Sequence, residues 1–174
     1  SGVATSIRVL SFGSGQPVLL LHAASWFAAH WSELCSYLKG YRCHCVDMPG
    51  HGLSGAVDYS GRDLRAYQVE LFSKVFRELN LRDVPVVGNS LGGMTALWLA
   101  LDAPELVSRL VILGVPATAL PGARPDLILS LLSVPYLNRV VLALPATVLT
   151  SRISMWNALS ASANTTLSPE LFQI

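Results

Sequence analysis

Charge is scarce in this chain. Charged residues make up 13% of its 174 residues and hydrophobic ones 52%, where a typical soluble domain carries about 25% charge. Twelve Lys and Arg stand against eleven Asp and Glu. Nothing therefore suggests a basic stripe for nucleic acid or an acidic solvating tail. Cysteine is limited to Cys35, Cys43 and Cys45. An odd count without ligand spacing excludes a disulfide framework and a zinc site, so reduced core thiols are expected and no metal or cofactor. No uninterrupted apolar run reaches the roughly 20 residues of a membrane span. The nearest candidate, Leu127 to Leu149, is broken by Pro135, Asn138, Arg139 and Pro145. Ser1-Gly2-Val3 lacks the charged start and apolar core of a signal peptide, so a cytoplasmic location is expected. Histidine is missing after residue 51: the four are His22, His30, His44 and His51.

What is present alternates between two periods. Ile7 to Leu10 reads as a strand, residues 13–17 as a turn, and Val18-Leu19-Leu20-Leu21 as a strand buried on both faces. A helix is expected over about 30–38 and a strand over 42–46. Apolar residues at Leu64, Tyr67, Leu71, Val75 and Leu79 predict an amphipathic helix. Val84 to Val87 predicts a strand, 91–102 a helix and Val107 to Leu113 a strand. This order implies an α/β fold, a mostly parallel sheet with helices on both faces. Ligands of such sheets bind beyond the carboxyl ends of the strands. Those ends carry His22 to Ala24, Asp47 to Ser54 and Gly88 to Gly92. After Gly114 the texture changes, with prolines punctuating apolar helical segments. The expected organisation is a core over 1–115 and a helical cap over 116–174.

The chemistry concentrates at Gly88-Asn89-Ser90-Leu91-Gly92, between a strand and a helix. A serine on so sharp a turn sits in a strained backbone, and side chains two residues away on either side would collide. The turn lifts the hydroxyl out of the sheet at a helix N-terminus, where free amides favour negative charge. Leu20-Leu21-His22-Ala23-Ala24 with Trp31, Asp47-Met48-Pro49-Gly50-His51-Gly52-Leu53-Ser54 and Gly88 to Gly93 follow one another in order. Together they resemble the α/β-hydrolase superfamily's strand-end His-Gly segment, D-x-P-G-x-G-x-S loop and nucleophile turn, over roughly residues 5–115. The resemblance implies Ser90 as nucleophile and an oxyanion hole of the Leu91 and Ala24 amides. It departs at Ala23, where the family has glycine.

A serine nucleophile needs a base, and the base an orienting acid. In this family both follow the serine, yet no histidine does here. The expectation is therefore a truncated chain, completed by a missing C-terminal segment or by a second polypeptide. An ester or thioester hydrolase acting on a small hydrophobic carbonyl substrate is expected, with Trp26, Phe27 and Asn89 lining the site. The alternatives are carbon–carbon hydrolysis of ring-fission products, since Asn89 resembles the G-N-S-x-G-G turn of those enzymes, and a non-catalytic binding protein. The apolar residues Leu127, Leu131, Leu132, Tyr136, Leu142 and Trp156 could line a pocket or form the cap's own core.

Overall fold

The computed structural model describes residues 6–24 and 26–114. The expected cap over 116–174 lies outside them. Five strands, β1 (Val9–Gly13), β2 (Gln16–Leu21), β3 (Tyr41–Val46), β4 (Val84–Asn89) and β5 (Val107–Leu113), form one sheet in the order β1-β3-β2-β4-β5. β2, β3, β4 and β5 pair in parallel, and β1 runs antiparallel to β3. Three helices connect them: α1 (Ser32–Tyr37), α2 (Leu64–Glu78) and α3 (Leu91–Asp102). A 3-10 turn, Ala28–Trp31, precedes α1.

The unbroken apolar run of β2 is buried on both faces. Leu19 and Leu21 join Val46, Phe72, Phe76, Val86 and Leu99 on the side of α2 and α3. Val18 and Leu20 join Ala28, Trp31 and the three cysteines on the other. Cover on both faces, by α2 and α3 on one and by the 3-10 turn and α1 on the other, explains why this strand lacks polar alternation. All three thiols are unpaired and buried. Burial pushes the Cys43 thiol up to about 12, so it stays protonated at neutral pH.

Four expectations shift. The early strand begins at Val9 rather than at residue 7, because its register runs from Val9 against Val46 to Gly13 against Arg42. Gln16 and Pro17 belong to β2 rather than to the turn. In α2 the buried face is Gln68, Phe72, Val75 and Phe76, one position beside the predicted stripe, and Leu64 is exposed. Two phenyl rings bury more apolar area than the Leu and Tyr side chains on the flank. The predicted helix over 30–38 divides into the 3-10 turn and α1.

Candidate active site

Ser90 stands between β4 and α3 with φ 51° and ψ −110°. This left-handed φ costs a non-glycine residue about 1–3 kcal/mol. The surroundings hold it there. The Ser90 amide donates to the Gly114 carbonyl at 3.0 Å, and its own carbonyl accepts from Met94 at 2.9 Å. The flanking glycines are steric requirements. A Cβ on Gly92 would overlap the Leu21 carbonyl, and one on Gly88 would overlap the Gly92 carbonyl. The turn can form only where no side chain separates β2 from α3.

β2 and β4 are neighbours, with Leu21 opposite Gly88. The loops leaving their carboxyl ends therefore meet, and the Gly92 amide donates to the His22 carbonyl at 3.1 Å. Gly92 thus spends its amide on the β2 loop, whereas the Leu91 amide, first in α3, lacks an intrahelical partner as helix-start amides do. Among the described residues, neither the Leu91 nor the Ala24 amide donates a hydrogen bond. Ala23 has no positive φ. The departure from glycine is accommodated, because the backbone there does not enter the left-handed region. Asn89 ends β4 half-buried, and Trp26 and Phe27 are 40% and 45% exposed.

The remaining motif residues build the support. His22 Nε2 accepts the Met48 amide at 2.9 Å. Its proton therefore sits on Nδ1, which donates to the Ala23 carbonyl at 2.7 Å. Burial holds its pKa below the ordinary value, so the ring is neutral. Asp47 is fully buried and accepts the Ala28 amide at 2.6 Å, the Leu53 amide at 3.0 Å and Arg8 Nη1 at 3.3 Å. Burial alone would raise its carboxyl; the Leu53 and Ala28 amides and Arg8 outweigh burial and hold the pKa below the usual range. Gly52 is obligatory, since a Cβ there would overlap the Asp47 carboxylate. Ser54 donates to the Asp47 carbonyl at 2.6 Å and accepts the Arg8 amide at 2.9 Å. Asp47 thus fastens three segments together.

His44 is buried beside Ser11, 3.0 Å from Nδ1, and His51 Nδ1 lies 3.0 Å from the Pro49 carbonyl. Among the described residues no histidine is hydrogen-bonded to Ser90. Sequence reasoning missed Arg8, for no local motif joins a residue before β1 to one after β3. It also missed a link from His30 to the aromatic pair, although the spacing of Trp26, Phe27 and His30 offered that signal. Among the described residues no group of three or more His, Cys, Asp or Glu is placed to hold a metal ion. No described helix is long and apolar enough to cross a membrane.

A left-handed serine raised over the carboxyl end of a mostly parallel sheet defines a class of protein. The chain belongs to the α/β hydrolase fold family, which matches residues 16–159. Among its relatives is the pimeloyl-(acyl-carrier protein) methyl ester esterase of Vibrio parahaemolyticus, 34% identical over 110 residues, 63% of this chain and 40% of that protein. Another is the 2-hydroxy-6-oxononadienedioate/2-hydroxy-6-oxononatrienedioate hydrolase of a Pseudomonas species, 33% identical over 115 residues, 63% of this chain and 40% of that one. Among solved structures, an esterase from Exiguobacterium antarcticum superposes with a TM-score of 0.58 at 34% identity, covering 65% of this chain and 42% of its own. The chain spans about two fifths of the length of these curated relatives.

Proposed function

We propose that Ser90 is the nucleophile of a serine hydrolase that cleaves an ester or thioester. The observation that carries this reading is the backbone of Ser90, a left-handed serine kept in place by two glycines at a structural cost that packing alone does not require. Ser90 Oγ attacks the substrate carbonyl while a base takes its proton. The Leu91 and Ala24 amides hold the oxyanion, each worth about 3 kcal/mol of barrier lowering. The bond to the alcohol or thiol breaks, the leaving group takes the proton, and an acyl group remains on Ser90. Water then attacks the acyl-enzyme, releasing the acid and restoring the hydroxyl.

The base and its orienting acid belong, on this proposal, to polypeptide beyond this chain, either a continuing segment or a second chain. The exposed rings of Trp26 and Phe27 favour a hydrophobic substrate. A second reading, carbon–carbon hydrolysis of a vinylogous diketone, is favoured by Asn89 before the nucleophile and by the similarity to the Pseudomonas dienedioate hydrolase. A fluorophosphonate probe on the full-length protein tests the first claim. Labelling that disappears in Ser90→Ala is expected; an intact, folded protein that takes no label is a binding protein instead. Rates on p-nitrophenyl esters against a dienoic diketone separate the two reactions.

A further inference from the structure

Beside Ala24 the structure holds three rings together at the surface. His30, third in the turn Ala28–Trp31, stacks on Trp26 with ring centroids 4.8 Å apart and planes 18° apart. Its edge meets Phe27 at 4.2 Å and 65°. The Phe27 amide donates to His30 Nδ1 at 3.4 Å. The platform beneath is fixed, because the Ala28 amide is bound by the buried Asp47 carboxylate at 2.6 Å. Trp26 and Phe27 nevertheless remain 40% and 45% exposed. They are ordered by a polar ring at their side rather than by burial in the core. Large apolar rings kept at the surface and propped in one orientation mark a contact surface rather than a packing layer. Their loop leaves β2 next to the nucleophile turn, through the Gly92 to His22 hydrogen bond.

We propose that His30 is a positioning residue that holds Trp26 and Phe27 as an apolar wall beside the Ala24 amide, and that this wall takes the hydrocarbon chain of the carbonyl substrate. The inference rests on the reading of Ser90 as nucleophile and adds the substrate's apolar arm. His30 acts in two separable ways. Its ring face orders Trp26, and its Nδ1 fixes the Phe27 backbone. Phenylalanine at this position keeps the first and loses the second; alanine loses both.

The test uses the full-length protein with p-nitrophenyl acetate and p-nitrophenyl octanoate. In His30→Ala the octanoate-to-acetate ratio of kcat/KM falls about fivefold, the factor to which an aromatic contact of about 1 kcal/mol corresponds. The loss falls on the octanoate KM rather than on kcat, and His30→Phe recovers most of it. In a Ser90→Ala background, where no turnover intervenes, methyl nonyl ketone binds about fivefold more weakly when His30 is also replaced by alanine. Equal losses on both esters, or ketone binding indifferent to His30, overturn the proposal. In the second case the rings have a structural role and no part in holding the substrate. Ketone binding that depends on His30 in a protein that hydrolyses neither ester supports the wall and defeats the Ser90 reading instead, so the two failures are distinguishable.

Discussion

Ser90 is a residue at which local preference and tertiary structure disagree. Its φ of 51° suits glycine, so Ser90→Gly is expected to raise stability by about 1 kcal/mol relative to Ser90→Ala, which keeps the strain. Urea unfolding of the two variants measures this directly; equal midpoints would mean that the turn is unstrained. The glycines act with the opposite sign. Gly92→Ala drives a methyl into the Leu21 carbonyl and is expected to destabilise by at least the 1–3 kcal/mol typical of overpacking, read as a fall in the urea midpoint. Both glycines were legible in the sequence, because G-x-S-x-G between a strand and a helix has one steric meaning. Arg8 was not. Its contact with Asp47 spans 39 positions and exists only once β1 has paired with β3.

At the scale of elements, the loops after β2 and β3 form one polar scaffold, and buried histidines in that scaffold and within β3 itself titrate. His22 and His44 are both held below the ordinary histidine value of 6.5, in each case first by burial. A folded pKa below the unfolded one means that the unfolded chain binds protons first. The stability each contributes is complete above 6.5 and is lost as pH falls through the folded value. His22→Asn and His44→Asn are each expected to flatten the decline of unfolding free energy below pH 6.5, as measured by denaturant titration from pH 7.5 downward. An unchanged slope in His22→Asn would contradict its neutral, Nδ1-protonated role. The strands around this scaffold were readable because an apolar run such as Val18 to Leu21 has few alternatives in a chain of this order. The helix face of α2 was misread by one position, since a stripe drawn through Leu and Tyr competes with one through Phe72 and Phe76, and only packing decides. The start of β1 was likewise set by pairing with β3 and not by its own residues.

At the scale of the whole molecule, three loops converge at one end of the sheet, while β5 ends the strand order among the described residues. On β5, Val111 and Leu113 are each 46% exposed, and an apolar edge of this kind pairs with other chains. The 174-residue chain is expected to self-associate with rising concentration, and Val111→Lys to reduce this in sedimentation; a monomer insensitive to that substitution would contradict the prediction. The central proposal concerns the end where those loops converge, with the Ser90 hydroxyl facing the Leu91 and Ala24 amides. A crystal structure of the full-length protein after reaction with a fluorophosphonate tests it most directly. The account predicts phosphorus bonded to Ser90 Oγ and a phosphoryl oxygen about 2.7–3.1 Å from both amide nitrogens. An adduct on another residue, or a phosphoryl oxygen turned away from those two amides, would contradict it.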